Sequence, residues 1–200
     1  SDTQLGTTLS NAHGVSVAVV EHLLAAIAGV GIDNLRIEID GPEVPIMDGS
    51  SSVFYELLML AGQKAQGAAR QRIRILETIE VREGPKRATL SPSNGDVLTL
   101  RARIEYDDQH IGVQQMAMKL APGMFARDLA FARTYGFARD VEMLRSMGLA
   151  RGGSLENAVV IGEDGVMNPE GLRIEDEFVR HKMLDAVGDL MLAGAPIAGD

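Results

Sequence analysis

The stretch from Glu175 to Ala193 constrains the fold of this chain more than any other. Val179, Met183, Ala186, Val187 and Leu190 recur with the period of a helix, which a strand cannot satisfy. Glu175, Asp176 and Glu177 fall in its first turn, where the helix macrodipole favours negative charge. Such a helix must bury its apolar flank against something, and two shorter helical patterns stand near the start of the chain. Val17, Val20, Leu24 and Ile27 mark the first, with Ser16 as cap and Gly29 or Gly31 as stop. Ser52 caps the second, where Val53, Phe54, Leu57, Leu58, Leu60 and Ala61 form a broad apolar stripe ended by Gly62. Between them Leu35, Ile37 and Ile39 alternate with Arg36, Glu38 and Asp40, the pattern of a half-buried strand.

Gln63 to Gln71 is polar, small and aperiodic, and reads as an interdomain linker. A strand-rich block follows. Ile73, Ile75, Ile79 and Val81 predict one long strand, and Ser93 to Asp96 predicts a hairpin turn between strands at Ala88–Leu90 and Val97–Tyr106. Val113–Leu120 and Leu155–Ile161 predict further strands, Pro122–Ala130 and Ala138–Met147 helices, and Asn168–Gly171 a turn. The order predicts an α+β fold in two modules, 1–66 and 67–200.

Composition narrows the function. A net charge of -9 and a pI near 4.9 exclude the basic footprint of a nucleic-acid binder. Without cysteine there are no disulfides, thiolate metal sites or thiol nucleophiles. No run of apolar residues is long enough to span a membrane. The polar opening reads as lacking a signal peptide, and the missing initiator Met as the mark of a fragment.

With four histidines, a histidine-based site is a short search. His181 and Asp185 stand at i and i+4 of the long helix, on one face and roughly 5–6 Å apart at Cβ. A neutral imidazole and a carboxylate so placed suit a divalent metal such as zinc; a surface His–Asp pair is the alternative. Glu21-His22 opens the first helix, where a glutamate beside a ligating histidine can reach a water on the metal. The alternative is a dipole-stabilised Glu and a half-buried His. Together the two signals supply three ligands and leave a fourth position for water, the pattern of a catalytic rather than a structural site. Arg133–Phe137 reads as a packing cluster, Gly152-Gly153-Ser154 as a turn or phosphate-approaching loop, and Asp48–Ser52 as a turn and cap. His13 and His110 are expected in solvated loops, and Met143 and Met147 as core filler.

Three segments carry a resemblance: VEHLLAAIAGVGIDNLRIEIDGPEVPIMDGSS (Val20 to Ser51), ARTYGFARDVEMLRSMGLARGGSLENAVV (Ala132 to Val160) and NPEGLRIEDEFVRHKMLDAVGDL (Asn168 to Leu190). They resemble the UDP-3-O-acyl-N-acetylglucosamine deacetylases, zinc enzymes of the committed step of lipid A synthesis in Gram-negative bacteria. The resemblance covers nearly the whole chain, and it implies that each module is a mainly antiparallel sheet packed on helices, with the active site between the two. It implies zinc held by His22, His181 and Asp185, with Glu21 as general base. It implies Thr134 as oxyanion donor, Asp189 as orienter of a catalytic histidine, and Lys182 near the nucleotide diphosphate. An insert from about Leu149 to Arg173 is expected to build an acyl passage, with Phe137, Val141, Ala150, Gly153 and Ser154 about it. Tyr135 stands where the family usually has Phe, keeping stacking ability, and Val19 replaces a common Thr. Asp108-Gln109 replaces a frequent His-Pro.

The family's further histidine, thought to protonate the leaving amine, has no counterpart in the 15 residues after Asp185, and its opening strands are absent. The chain tested alone is therefore expected to turn over poorly and to expose a sheet edge that invites self-association. The expected substrate is UDP-3-O-acyl-N-acetylglucosamine and the expected setting a cytoplasmic monomer. A nucleotide-sugar or protein-binding domain without catalysis, and a purely structural α+β protein, are the other readings; neither has an evident need of Glu21, His22, His181 and Asp185 together.

Overall fold

The computed structural model describes residues 6–146, 150 and 152–200. The elements in chain order are β1 (Leu9–Ser10), β2 (Ser16–Val17), α1 (Glu21–Val30), α2 (Ser52–Ala61), β3 (Ile73–Arg74), β4 (Ile79–Glu83), β5 (Lys86–Leu90), β6 (Thr99–Glu105), β7 (Val113–Lys119), α3 (Met124–Asp128), β8 (Tyr135–Phe137), α4 (Val141–Ser146), β9 (Val159–Ile161), α5 (Glu177–Met191) and β10 (Ile197–Ala198). A single 3-10 turn, Ala138–Asp140, leads into α4. The mixture is α+β, as the residue pattern predicts.

The framework is α1 crossing α5. α1 buries Ala25, Ala26 and Ile27, and α5 buries Phe178, Val179, Met183, Leu184 and Val187. Gly188 lets the two backbones meet: a Cβ there would lie 2.1 Å from the Glu21 carbonyl oxygen. α1 ends at Gly31, which takes the left-handed conformation at φ 83° and donates its N–H to the Ile27 and Ala28 carbonyls. Beneath the crossing, Ala25, Leu184 and Val187 share one core with Leu98 and Leu100 of the β6 arm, Met118 of β7, Phe125 of α3, Leu129 and Ile197. A second cluster of Ile111, Val159, Ile161 and Phe178 packs on the other side of α5, with Tyr135 and Phe137 against it.

Among the described residues the strands form five ribbons. β1–β2, β4–β5 and β6–β7 are antiparallel, while β10–β3 and β8–β9 are parallel. Two expectations fail here for one reason. The strand expected over Ile73–Val81 is broken into β3 and β4, and β5 pairs with β4 instead of forming a hairpin with β6. The end of the chain intervenes: β10 runs parallel to β3, Gly199 bridges Leu98, and Ser91 and Asp200 exchange backbone hydrogen bonds. A segment a hundred residues distant takes the place that the local turn signal reserved for β6.

Other differences are local. Leu35, Ile37 and Ile39 pair with no described strand and stay 47%, 44% and 37% exposed. Alternation supplies a face, but a strand also needs a ladder partner. α2 touches α1 on one side only, so its stripe is not a core: Leu57, Met59 and Leu60 are exposed. Ser16 lies in β2 rather than capping α1, and α2 begins at Ser52 with Ser51 as the residue before it. The helix expected over Pro122–Ala130 shortens to α3, and only Val159–Ile161 of the Leu155–Ile161 stretch is strand. Met143 is exposed, not core. His110 is half-buried, its Nε2 3.1 Å from the Glu163 carbonyl oxygen. Met147 and Leu149, the latter the expected start of the insert, lie outside the described residues.

Candidate metal centre

The α1–α5 crossing brings together residues that are far apart in the chain. His22 is in the first turn of α1; His181 and Asp185 are one turn apart on α5. One donor atom from each of the three lies within 4.8 Å of the others. Asp185 Oδ1 stands 3.5 Å from His22 Nε2 and 3.4 Å from His181 Nε2. The two imidazoles meet edge to face, with centroids 4.9 Å apart. Both histidines are buried, at 4% and 1% exposure.

Each group is held from behind. The His181 Nδ1 lies 3.0 Å from the Ala132 carbonyl oxygen, which can only accept, so Nδ1 carries the proton and Nε2 presents a lone pair. The Ser51 hydroxyl donates to the His22 carbonyl at 2.7 Å, pinning the start of α1 to the residue that precedes α2. Val19, just before α1, sits at φ 58°, a strained conformation for a β-branched residue that aims the chain into Glu21-His22. Lys182 Nζ approaches Asp185 Oδ2 at 3.3 Å from the solvent side and lies 5.3 Å from the Tyr135 ring centroid.

The electrostatics follow from burial and neighbours. Burial pushes the His181 imidazole down to about 4, so it stays neutral at physiological pH. Burial would push the Asp185 carboxyl up, but the adjoining His181, His22 and Lys182 outweigh it and hold the group ionised. Burial, reinforced by Asp185, pushes the Glu21 carboxyl above its ordinary value, against hydrogen bonds to backbone N–H groups, one of them that of Thr7. Asp189 is raised for the same first reason.

These residues fit a divalent cation. Asp185 Oδ1 is buried with no hydrogen-bond partner, and so is His22 Nδ1. An unpaired buried carboxylate oxygen is costly, and the His181 Nε2 lone pair facing it does not satisfy it. At zinc bond lengths of about 2.0–2.1 Å, the edge of a tetrahedron is about 3.3–3.4 Å. The two Asp185–His separations, 3.5 and 3.4 Å, match that edge.

Around the trio, Glu21 Oε2 accepts from the Thr7 N–H at 3.1 Å, and the Thr7 hydroxyl donates to Asp189 Oδ1 at 2.6 Å. Asp189 is thus tied to Glu21 through Thr7; among the described residues, its hydrogen-bond partner is Thr7 and not a histidine. Tyr135 packs edge-on to His181, centroids 6.2 Å apart, and its hydroxyl shares a 3.1 Å hydrogen bond with that of Tyr106. Thr134, half-buried, is fixed by its backbone: its N–H donates to the Gly49 carbonyl and its own carbonyl accepts from Val159. Phe137 lies half-buried beneath the Arg139 guanidinium, and Val141 is half-buried on α4. Ala150, Gly153 and Ser154 lie on an exposed turn closed by the Gly153 N–H on the Ala150 carbonyl.

Sequence reasoning missed Thr7, Ser51 and Gly188. A glycine inside an otherwise helical pattern costs about 1 kcal/mol, and that cost was the one available signal, pointing to the close approach at Gly188.

Fold and site together define a class: an α+β protein in which two buried histidines and a half-buried aspartate form a group that could hold a cation, with a glutamate beside it. Comparison with known proteins narrows it. The family model described as UDP-3-O-acyl N-acetylglycosamine deacetylase matches residues 1–200, and the chain belongs to that family. It is 51% identical over 197 residues to the UDP-3-O-acyl-N-acetylglucosamine deacetylase of Phenylobacterium zucineum, covering 98% of this chain and 67% of that protein. It is 50% identical over 198 residues to the Myxococcus xanthus protein of the same name, covering 99% and 62%. For the Shewanella frigidimarina protein of that name the identity is 48% over 199 residues, covering 100% and 65%. The chain therefore spans about two thirds of the length of these relatives.

Proposed function

We propose that this chain carries the metal centre and the general base of a zinc-dependent deacetylase that hydrolyses the N-acetyl group of UDP-3-O-acyl-N-acetylglucosamine, releasing acetate in the committed step of lipid A biosynthesis. The observation that supports this most is the unpartnered Asp185 Oδ1 facing two imidazole Nε2 atoms, with Glu21 buried alongside. His22, His181 and Asp185 are the proposed ligands, a donor set that suits zinc. Zinc held there supplies Lewis acidity toward the acetamide carbonyl and lowers the pKa of a water to about 7.

The remaining steps belong to the chain's own residues. Glu21, its carboxyl raised by burial, takes a proton from the attacking water at Oε1, since Oε2 is committed to the Thr7 N–H. Asp189 fixes Thr7 and so the rotamer of Glu21. The Thr134 hydroxyl donates to the oxygen that gains charge as the carbonyl becomes tetrahedral. As the C–N bond breaks, the proton that Glu21 took from the water passes to the nitrogen, so the amine leaves neutral and Glu21 returns to its ionised form. Lys182, at the exposed rim, pairs with the diphosphate, and the Tyr135 ring forms the wall beside it. Phe137, Val141, Ala150, Gly153 and Ser154 border the acyl passage. No described helix is long and apolar enough to cross a membrane; the reading takes the protein as a cytoplasmic monomer acting on a nucleotide-linked sugar.

Acetate release by the zinc-loaded whole protein tests the reading. The Glu21→Gln variant is expected to keep its zinc and lose about 10²–10⁴-fold in kcat. No acetate from the wild type, or a variant within tenfold of it, would overturn the assignment.

A further inference from the structure

The mechanism leaves one buried charged group without a task. Arg133 is 2% exposed and Glu177 is fully buried, and both lie beside the metal site rather than in it. The Arg133 guanidinium donates Nε to Glu177 Oε1 at 2.9 Å and Nη2 to Glu177 Oε2 at 3.2 Å. Nη1 reaches Glu170 at 2.6 Å, and Nη2 also reaches the Gly171 carbonyl at 2.8 Å. Glu177 accepts two backbone N–H groups as well, those of Arg133 at 3.0 Å and Arg173 at 2.7 Å. A buried ion pair of this kind is weak as a source of stability, because desolvation offsets its attraction. Its geometry gives it another use.

The backbone N–H of Arg133 and the carbonyl of Ala132 are the two ends of one peptide group. In a trans peptide they point in opposite directions. Here the N–H donates to Glu177 and the carbonyl accepts from His181 Nδ1 at 3.0 Å. Glu177 and His181 are i and i+4 on α5, one turn apart on one face. The 132–133 peptide therefore stands as a strut along that face, gripped at both ends by the helix that carries the ligand. Without the Glu177 carboxylate the peptide has no partner on its N–H side, and its plane is free to turn the carbonyl away from His181.

We propose that Glu177, held in place by Arg133, is a positioning residue for the metal site: it orients the 132–133 peptide so that the Ala132 carbonyl fixes the tautomer and ring angle of His181, leaving Nε2 on the metal. The same strut sets the start of the segment carrying Thr134, whose other backbone bonds go to Gly49 and Val159. The charge on Glu177 also polarises the peptide and strengthens its carbonyl as an acceptor, which raises the donor strength of the His181 ring. This rests on the His22–His181–Asp185 reading of the site.

Zinc affinity by chelator competition, with the melting temperature recorded beside it, tests the proposal on the whole protein. Arg133→Met with Glu177→Met removes both charges and the acceptor of the peptide N–H. Arg133→Met with Glu177→Gln removes the charges but keeps an acceptor oxygen. The first pair is expected to weaken zinc binding about 10–100-fold, the usual effect of losing an outer partner of a ligating histidine. The second pair is expected to restore most of it at a similar melting temperature. A purely structural role predicts that both pairs shift the melting temperature and leave zinc affinity alone, and that result overturns the proposal. Should the variants not fold, ¹⁵N-histidine spectra of the wild type decide: the His181 proton on Nδ1 in the metal-free and zinc-bound forms supports the strut, and a proton on Nε2 in the metal-free form overturns it. A wild type that binds no zinc would instead remove the reading on which the proposal rests, a separate outcome.

Discussion

Gly188→Ala is the sharpest perturbation of the framework. The added methyl would lie 2.1 Å from the Glu21 carbonyl oxygen and 2.8 Å from its carbonyl carbon, where ordinary contact begins at 3.4 Å. Both obstacles are backbone, so no rotamer change relieves them. Opening the oxygen contact from 2.1 to 3.4 Å moves α1 and α5 apart by 1.3 Å. Overpacking of this kind costs about 1–3 kcal/mol, offset by about 1 kcal/mol from the better helix propensity of alanine. The melting temperature should therefore fall by a few degrees, about 2–4 °C per kcal/mol at this size. Zinc affinity should suffer more. His22 follows Glu21, and Asp185 is one turn before Gly188, so the displacement falls on the ligand set itself. Metal sites tolerate about ±0.2 Å in ligand distance, so a loss of about 100-fold is expected. Gly29→Ala provides the contrast. Its methyl would meet the Phe125 ring at 2.2 Å, two turns further along α1 and away from the ligands. That variant should melt lower and bind zinc as the wild type does. If Gly188→Ala binds zinc with unchanged affinity, the argument that the helix crossing sets the site is refuted.

Further predictions can be checked by equilibrium unfolding. Leu184→Ala, fully buried on α5, should cost about 2–5 kcal/mol, whereas Leu60→Ala, 83% exposed on α2, should stay within about 0.5 kcal/mol of wild type. The Asp48 carboxyl lies below its ordinary 3.8: burial pushes it up, but the Ser50 hydroxyl and N–H and the Arg173 guanidinium outweigh that. Its contribution to stability is thus complete above pH 3.8 and is lost as pH falls through the lower folded value. Asp48→Asn should flatten that part of the acid limb, and an unchanged acid limb would contradict the pairing. Ser51→Ala removes the hydroxyl that holds the His22 carbonyl at 2.7 Å and should destabilise by about 1–3 kcal/mol, read from the urea midpoint at constant m-value.

What was legible in the sequence was what local pattern determines. α1 and α5, their Gly31 stop and acidic first turn, and the strand at Val113–Lys119 all follow from periodicity and end signals within a few residues. The clustering of His22, His181 and Asp185 was legible because two residue types that can hold metals stood at helical spacing, and Glu21-His22 offered a third donor. What failed was non-local. Ser93–Asp96 has the residues of a hairpin turn, but Gly199 and Asp200, just after β10, come in from more than a hundred residues away to bridge Leu98 and bond Ser91. Leu35–Ile39 alternates as a strand should, yet no described strand pairs with it. The contacts of Thr7 and Glu177 left no trace in the sequence, because each is a backbone contact with a residue 14 or 44 positions away.

X-ray absorption at the zinc edge, on protein loaded with one equivalent of zinc, tests the central claim most directly. The account predicts one tightly held ion with two imidazole nitrogens at about 2.0–2.1 Å and carboxylate oxygen at about 2.0–2.2 Å. One imidazole should disappear from the shell in His22→Ala and one in His181→Ala. A spectrum with no imidazole scattering, or one unchanged by either substitution, would contradict it.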